Sequence, residues 1–561
     1  MYKYLTNLQR IGFITILLTI ASISLAVPAK RGIWKQLRLN DGTVVEAELR
    51  GDESFHYWRT ADGKFIIGQG DGYVLVKDAG EWDVRRKTLS SKPNARRAAR
   101  QQIHRSSTCI GKKKGLLLLV EFVDQKFQSG HDISFYECVA NKEGFTSNEG
   151  YVGSVHDYFL QQSNGLFDLS FDVIGPISLS HDYSYYGEND EDGNDKRPGK
   201  MVAEALIKAD NMVNYADYDW NGNGEVDMVM VIYAGRGEAD SYEENTIWPH
   251  EWELSSSDYL KVLRLDSMII DVYACANEMG DKKSSGIGAI CHEFSHAIGL
   301  PDMYDSSGIN YGMGYWSLMD LGVYNGDCFC PCGYTSYEKM FCGWIEPVIL
   351  NNDTTISNMK PLSIGGEAYL LQNEGWKDEY YLLENRQKSG WDAYLPGNGL
   401  LILHVDYSKR IWFYNEVNCT SEKQTYTKND HQRCTIFFAD NSPWNESGDP
   451  YPYKDNNQLT AVSKPAATLY HENVDSSIFM GKSITAITQN RDRTIAFTVG
   501  PQKFEVDGIT LQPSPLALQS SSIYSLDGRY LGTDINQLKP GIYIVGGKKV
   551  IVPVRNGART N

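Results

Sequence analysis

Beyond its first 25 residues the sequence has no apolar run near the roughly 20 residues needed to cross a bilayer. Positive charge is also scarce: 54 Lys and Arg residues stand against 71 Asp and Glu residues, a net charge of −17. Because nucleic acid and anionic lipid bind positive surfaces, this balance disfavours both as main partners. Hydrophobic residues make up 42% of the chain, which is ordinary for folded proteins and disfavours a disordered polypeptide. The 561 residues predict three or four folded units.

The amino terminus has the parts of a signal peptide. Two basic residues precede an apolar run from Ile11 to Leu25, and Ser24-Leu25-Ala26 is a small-x-small site of the kind that signal peptidase cuts. A run of about 15 apolar residues is short for a membrane anchor. No cysteine precedes Cys109, so the cleavage site has no thiol for a lipoprotein anchor. We therefore predict that residues 1–26 are removed and that the protein is secreted or held at the cell surface.

A change in composition divides the region that follows. Residues 27–83 alternate short β-like runs with Asp-Gly turns, which predicts a small antiparallel β domain. Residues 84–114 contain eleven Lys or Arg residues and no Asp or Glu. One interpretation is a solvated linker with a helical piece near 94–105, and the other is an activation segment cut by a basic-specific protease. The two are compatible, and we expect a basic activation linker here.

The next region predicts a mixed domain of the α/β (α+β) class over residues 115–344. Continuous apolar runs at 115–123 and 228–234 are typical of buried strands. Helical spacing of apolar residues occurs at 155–162 and 200–212.

The carboxyl-terminal part of the chain has strand signals throughout. Residues 345–507 contain many short β-like runs separated by turns, which predicts a β-sandwich domain. The clearest runs are Tyr380–Glu384, Leu400–Asp406, Cys434–Ala439 and Ile495–Val499. Residues 508–561 carry six Lys or Arg residues and two Asp residues, and they predict a basic terminal β module.

The strongest chemical signal is the run from Ile290 to Asp302, which contains His-Glu-x-x-His. On a helix, His292 and His296 lie one turn apart on the same face, so both imidazoles can bind one Zn²⁺. Glu293 stands beside them and can take a proton from a metal-bound water. Because this motif is extended by a glycine and an acidic residue, it predicts a catalytic zinc site.

Two residues compete for the place of third zinc ligand. Asp302 has the spacing from His296 found in metzincins, with Asp in place of their third His. Glu338, on the helix predicted at Ser336–Phe341, is the alternative, since some zinc peptidases use a downstream glutamate. Further along, Trp316-Ser-Leu-Met-Asp320 predicts a Met-turn, in which Met319 forms an apolar floor beneath the metal.

A second candidate metal site lies in the loop that begins at Asp219. Oxygen-bearing side chains alternate along it, at Asp219, Asn221, Asn223, Glu225 and Asp227, and its sixth residue is a glycine. This is the pattern of a calcium loop, but Met230 stands where an EF-hand has its bidentate glutamate. The loop therefore predicts either a structural Ca²⁺ site or an Asn/Gly turn that leads into a strand.

With these residues together, the chain resembles the immune inhibitor A-like metallopeptidases, secreted bacterial zinc endopeptidases of metzincin type. The resemblance covers about residues 35–500. The residues that carry it are Gly51-Asp52-Glu53, Asp157-Tyr158-Phe159, Gln162-Ser-Asn-Gly165, Asp219–Asp227, Trp248-Pro249-His250, Asn277-Glu278, His292–Asp305, Glu384-Asn385-Arg386 and Pro396–Asp406.

The resemblance implies a zymogen with a propeptide at 27–83, a zinc catalytic domain and a following β domain. It implies that His292, His296 and Asp302 bind zinc and that Glu293 acts as general base and acid on protein or peptide substrates. The part of the chain before residue 84, called the leader below, lacks a cysteine switch of the Arg-Cys-Gly type. An acidic residue such as Asp52 is therefore a candidate to block the metal. The tail at 523–552 is similar to modules of secreted Bacteroidetes proteins that act in export or surface attachment.

The competing hypothesis is a non-catalytic surface adhesin that keeps a metal site for structure. A purely structural zinc needs no general base and usually has four protein ligands. The presence of Glu293 therefore favours the enzyme.

Overall fold

The computed structural model describes residues 25–53, 55–69, 72–76, 109–190, 193–306, 308–420 and 427–502, with tail residues 505–506, 509–510, 523–525, 530–532, 537–538, 541–545 and 548–552. Nearly all of the predicted signal peptide 1–26 lies outside these residues, and so do the helical piece predicted at 94–105 and most of the basic linker 84–114. Among the described residues, no helix combines the length and the apolarity needed to cross a membrane. All ten cysteines lie among the described residues, and nine of them are buried.

Eight α-helices are described, and most are short. They are α1 (Ile133–Asn141), α2 (Val155–Gln162), α3 (Tyr183–Gly187), α4 (Pro198–Ala209), α5 (Glu238–Ser241), α6 (Gly288–Ala297), α7 (Ser336–Phe341) and α8 (Lys409–Phe413). Short 3-10 turns lie at Asp210–Met212, Tyr215–Tyr218, Gly314–Trp316, Leu321–Cys328, Leu362–Ile364, Gly390–Asp392 and Glu446–Gly448. The helices predicted at 155–162 and 336–341 are confirmed with the same bounds. The helix predicted at 200–212 begins earlier, at Pro198, and gives way to a 3-10 turn after Ala209.

The strands of the first half belong to three sheets. They are β1 (Leu25–Ala26), β2 (Trp34–Arg38), β3 (Val44–Gly51), β4 (His56–Thr60), β5 (Phe65–Gln69), β6 (Gly72–Leu75), β7 (Gly111–Glu121), β8 (Phe167–Ser178), β9 (Val229–Arg236), β10 (His250–Glu253), β11 (Leu263–Leu265), β12 (Met268–Ile270) and β13 (Val272–Met279). Strands β2 to β6 form an antiparallel sheet in chain order, which confirms the antiparallel prediction for the leader.

The central sheet has the order β1-β10-β13-β9-β7-β8. Strands β13, β9, β7 and β8 are parallel, whereas β10 and β1 add to one edge in antiparallel pairing. Leu117 and Leu119 of β7 enter the core on one face, and Leu116 and Leu118 enter the core on the other. Burial on both faces explains the continuous apolar run that predicted this strand.

Strand β7 begins at Gly111, four residues before the boundary predicted at 115. Lys112, Lys113 and Lys114 pair through their backbones with β8, and the side chains of Lys112 and Lys114 form ion pairs with Asp168 and Asp172. Because β8 is the edge strand there, lysine side chains can stay at the surface while their backbone continues the ladder. The predicted boundary was placed too late because three lysines at the start of the strand were taken as part of the basic linker.

The second half is mainly β-structure. Its strands are β14 (Val348–Ile349), β15 (Thr354–Met359), β16 (Tyr369–Gln372), β17 (Glu379–Arg386), β18 (Gly399–Asp406), β19 (Cys434–Ile436), β20 (Lys482–Gln489) and β21 (Ile495–Pro501). One sheet has the order β14-β16-β17-β18-β19 and the other the order β15-β21-β20. Leu383 and Ile402 of the first sheet and Phe497 of the second belong to one apolar core.

The tail strands are β22 (Glu505–Val506), β23 (Ile509–Thr510), β24 (Ile523–Ser525), β25 (Tyr530–Gly532), β26 (Gly541–Val545) and β27 (Lys548–Val552). The last four form an antiparallel sheet in the order β25-β24-β26-β27. Ile523, Val550 and Val552 provide its small buried core. The strand signals of the tail are thus confirmed, and its role stays a prediction.

Candidate metal centre

Helix α6 presents two histidines to one point. His292 and His296 lie on the same face, both are at least 96% buried, and their Nε2 atoms are 3.2 Å apart. The helix holds this position because Ile290, Cys291 and Phe294 pack into the core around it. It ends where Gly299 adopts a φ of 99°, a left-handed conformation that glycine accepts without steric cost.

Each imidazole is oriented by a backbone carbonyl. His292 Nδ1 lies 2.8 Å from the carbonyl oxygen of Leu318, and His296 Nδ1 lies 2.8 Å from that of Leu300. A carbonyl oxygen can only accept, so Nδ1 carries the proton in both rings. The Nε2 atoms therefore carry lone pairs that face each other, an arrangement suited to binding a cation between them.

The turn at Gly299 brings Asp302 back to the same point. Asp302 Oδ1 lies 3.3 Å from His292 Nε2 and 3.4 Å from His296 Nε2, and it is buried without a well-aligned hydrogen bond. Burial raises the pKa of this carboxyl, and the two imidazoles outweigh burial and lower the pKa only when they are protonated. Two nitrogen donors and one carboxylate oxygen converge here, which is the donor set of a catalytic zinc site with one open position.

The competing ligand Glu338 lies in another network. It stands at N3 of α7, where Oε2 accepts the backbone N–H of Thr335 at 2.6 Å and its hydroxyl at 2.9 Å. Its other oxygen accepts the hydroxyl of Ser317 at 2.5 Å. The structure therefore brings Asp302, and not Glu338, to the two histidines.

Glu293 is fully buried beside the two histidines. His292, Glu293 and His296 form a group of three metal-binding side chains whose ligand atoms all lie within 4.8 Å of each other. Burial raises the pKa of Glu293 well above its ordinary value, and the charge of Asp302 adds to the effect. Oε2 is buried without a hydrogen bond, whereas Oε1 accepts the backbone N–H of Val27 at 2.9 Å.

The contact with Val27 is part of a longer one, because the start of the leader lies across the metal centre. Strand β1 pairs with the edge strand β10, with Leu25 opposite Glu251 and Ala26 opposite His250. Trp248 Nε1 then donates to the carbonyl of Val27 at 2.9 Å, and the Tyr324 hydroxyl donates to that of Pro28 at 2.5 Å. The leader segment is thus bound through its backbone in an extended form.

One peptide bond of the leader is held at both of its polar atoms. The hydroxyl of Tyr304 donates to the carbonyl oxygen of Ala26 at 2.8 Å, and the N–H of Val27 donates to Glu293. The same hydroxyl lies 3.1 Å from Asp52 Oδ2. Asp52, the candidate blocking residue, therefore contacts Tyr304, and the leader group that reaches Glu293 is the backbone of Val27.

The predicted Met-turn contacts α6 through the backbone of Leu318. Its backbone turns between Ser317 and Asp320, and the carbonyl of Leu318 is the one that orients His292. The Met319 side chain is fully buried, and its carbonyl accepts the N–H of Met303 at 2.8 Å. The turn therefore connects the histidine helix to the segment after Asp302, and its role as a floor for the metal stays a prediction.

The predicted calcium loop is organised by Asp219. Its carboxylate accepts the backbone N–H groups of the next turn, at distances from 2.7 to 3.3 Å. Asn223 Oδ1 accepts the N–H of Glu225, and Asp227 Oδ2 accepts the N–H of Trp220. Asn221 lies within the same turn. These contacts match the Asn/Gly turn that was the alternative interpretation, and calcium binding stays a prediction.

Several residues at the site were missed from the sequence. Tyr304 stands two residues after Asp302, and this short separation could have indicated that it lies near the metal centre. Trp248 belongs to a tripeptide that carried the family resemblance, without a role assigned to it. Asn415 donates to Asp302 Oδ2 from 113 residues away, and no pattern in the sequence connects the two.

Comparison with known proteins finds a family match in the middle of the chain. Residues 108–344 match the family described as Immune inhibitor A peptidase M6, catalytic domain. The chain is 26% identical over 275 residues to Pre-pro-metalloprotease PrtV of Vibrio cholerae serotype O1 (strain M66-2), a match that covers 41% of this chain and 30% of PrtV. It is 24% identical over 276 residues to Immune inhibitor A of Bacillus thuringiensis subsp. alesti, covering 41% and 40% respectively. The chain thus spans less than half the length of each relative.

Proposed function

Because residues 108–344 carry a peptidase M6 domain of the immune inhibitor A family, we propose that the protein is a secreted zinc-dependent endopeptidase made as a latent precursor. The observation that carries the proposal is the convergence of His292, His296 and Asp302 beside the buried Glu293. Two relatives are named as a metalloprotease and as Immune inhibitor A, which supports the same activity.

The residues at the site have distinct roles in peptide hydrolysis. His292, His296 and Asp302 would hold Zn²⁺, which when bound acidifies a water and polarises the substrate carbonyl. Glu293 takes the proton from the attacking water and passes it to the leaving amine. The position of Glu293 suits this exchange, because the carboxyl is fully buried beside the two histidines and Oε2 has no hydrogen bond.

The leader shows where a substrate peptide would lie. The Ala26–Val27 peptide bond places its nitrogen at Glu293 and its carbonyl oxygen at Tyr304. A scissile bond in the same place would have its departing nitrogen beside the proton donor. The Tyr304 hydroxyl would donate to the carbonyl oxygen as negative charge develops there. Pairing with β10 would align the residues before the scissile bond.

Latency would rest on the contacts that start at Val27, because Val27 lies against Glu293 and its carbonyl accepts from Trp248 whether or not residues 1–26 are present. Removal of residues 1–26 would leave Val27 as the amino terminus, with its new ammonium group against Glu293. A cut in the basic segment 84–114 would then separate the leader from the peptidase domain. The leader sheet contacts this domain through Trp58, which packs edge-on against Tyr242 at 5.4 Å.

The carboxyl-terminal module is the remaining part of the proposal. Its four-stranded sheet has its own small core, and its sequence is basic in an otherwise acidic chain. We assign it to export or surface attachment, where it would meet the machinery that handles the secreted protein.

The proposal is tested by following what the purified precursor does to itself. The precursor is incubated with and without a zinc chelator, and the new amino termini are sequenced. We expect fragments that begin within 84–114 or just after it, and we expect them to form more slowly with the chelator. Cleavage at an unchanged rate with the chelator would show that the chain's own metal centre is not responsible.

A further inference from the structure

The proposed metal ligand Asp302 is held by a residue that lies outside the segment matched to the peptidase family. Asn415 follows helix α8, in the β-rich second half. Its Nδ2 donates to Asp302 Oδ2 at 2.6 Å, and its Oδ1 accepts the backbone N–H of Asp302 at 2.7 Å. One amide therefore binds both the side chain and the main chain of the same aspartate.

These two bonds fix the direction of the carboxylate. The bond to Oδ2 occupies the oxygen that points away from the histidines, so Oδ1 is the oxygen that faces His292 and His296. The bond to the backbone N–H fixes the distance between Asn415 and the turn that carries Asp302. Hydrogen bonds of this kind orient metal-binding carboxylates and tune how strongly they bind.

Asn415 is itself held in one conformation. Its φ is +53°, in the left-handed region where asparagine and aspartate are tolerated better than most residues. Its N–H donates to the carbonyl of Trp412 at 3.1 Å, and Trp412 is buried against Tyr337 with a ring separation of 5.8 Å. The amide is therefore presented by a turn that is anchored in the peptidase core.

A second asparagine ties the same two segments together. Asn418 Nδ2 donates to the carbonyl of Met303 at 2.7 Å and to that of Cys434 at 2.7 Å. Its Oδ1 accepts the N–H groups of Arg433 and Cys434 at 3.1 Å each. Asn418 is fully buried, and it binds the segment that carries Asn415 to Met303 on one side and to Cys434 on the other.

We propose that Asn415 is a positioning residue for the metal ligand Asp302, and that the β-rich region beyond residue 344 therefore completes the metal centre. This inference rests on the proposed function, because it assumes that Asp302 binds the metal. It predicts that the segment 108–344 alone would hold zinc less firmly than the full chain does.

Two substitutions test the proposal in the full chain. Asn415→Asp keeps the size and the tolerance for positive φ but places a carboxylate against Asp302. Asn415→Gly keeps the backbone conformation and removes the amide. The matched control is Asn445→Asp, because Asn445 Nδ2 also donates to a carboxylate, Asp440 Oδ2, at 2.6 Å, but at an exposed position.

The readout is the dissociation constant for Zn²⁺, measured by competition with a chelating dye. We expect both Asn415 variants to bind zinc about 10- to 100-fold more weakly than the wild type, and the control to match the wild type. Added zinc should restore their peptidase activity. Affinities within twofold of wild type for both variants would overturn the inference.

A double-substitution experiment separates positioning from general damage. If Asn415 acts through Asp302, Asn415→Gly in a chain with Asp302→Ala should lower zinc affinity no further than Asp302→Ala alone does. If Asn415→Gly weakens zinc binding as much in the Asp302→Ala chain as it does in the wild type, Asn415 does not act through Asp302. A wild-type chain that binds no zinc would instead reject the proposed function itself.

Discussion

Two backbone carbonyls decide which nitrogen of each histidine can bind a metal. Leu318 and Leu300 accept from the Nδ1 atoms, so the Nε2 lone pairs of His292 and His296 converge. A water in either place would leave the tautomer free. The metal centre thus depends on the turn at Ser317–Asp320 and on the turn after Gly299 as much as on the ligands themselves.

Tyr304 is the residue whose role can be tested most simply. Replacement by phenylalanine removes the hydroxyl that donates to the Ala26 carbonyl and keeps the ring. If this hydroxyl stabilises developing charge on a substrate carbonyl, kcat should fall about 100-fold or more while KM changes little. We would measure both constants with a fluorogenic peptide, using enzyme trimmed by trypsin and then treated with a serine-protease inhibitor.

The matched control for this substitution is Tyr324→Phe. Its hydroxyl also donates to a leader carbonyl at 2.5 Å, but that carbonyl belongs to Pro28, two residues after Ala26. This variant should keep kcat close to that of the wild type. A Tyr304→Phe enzyme with kcat within twofold of wild type would remove Tyr304 from the reaction.

At the scale of elements, strand β1 on the edge of β10 makes the leader a backbone-bound occupant of the site. A synthetic peptide with the sequence of residues 25–34 should therefore inhibit the trimmed enzyme. The matched control is the same peptide methylated on the nitrogen of Val27, which cannot donate to Glu293. We expect the control to inhibit at least about 10-fold less, since a hydrogen bond to a charged group contributes roughly 1.5–3 kcal/mol.

Inhibition constants from steady-state peptide hydrolysis provide the measurement. Equal inhibition by the two peptides would mean that the contact between Val27 and Glu293 does not hold the leader in place. Absence of inhibition by the unmodified peptide would mean that the segment 25–34 does not block the site by itself.

Elements with strong local signals were predictable from the sequence. Helix α2 was predicted with its observed bounds from the helical spacing of its apolar residues, and the structure adds a capping box of Ser154 and Asp157 at its start. Strand β7 was recognised by its run of leucines, although its start was hidden by Lys112 to Lys114. The histidine helix was recognised because its chemistry follows from spacing along one helix.

Contacts between distant segments were not predictable. Val27 and Glu293 are 266 residues apart, and Asp302 and Asn415 are 113 apart. Such pairs depend on how sheets and turns pack, and a single sequence has no periodicity that encodes them. The same reason left Asp302 and Glu338 as open alternatives until the capping role of Glu338 was seen.

At the scale of the whole molecule, three parts of the chain meet at one point. The leader contributes Val27, the peptidase segment contributes the histidines and Glu293, and the β-rich region contributes Asn415. Under the proposed function, latency and metal binding would therefore depend on the whole chain. The net charge of −17 is likewise an average, because the segment 84–114 and the tail are basic.

The central claim is that Glu293 performs the hydrolysis at a metal held by its neighbours. The most direct test compares casein hydrolysis and bound zinc in trypsin-trimmed wild type, Glu293→Ala and the control Glu137→Ala, which alters an exposed glutamate of α1. We predict that Glu293→Ala keeps its zinc but hydrolyses casein about 10²- to 10⁴-fold more slowly, and that the control is unchanged. Hydrolysis by Glu293→Ala at the wild-type rate would contradict the account.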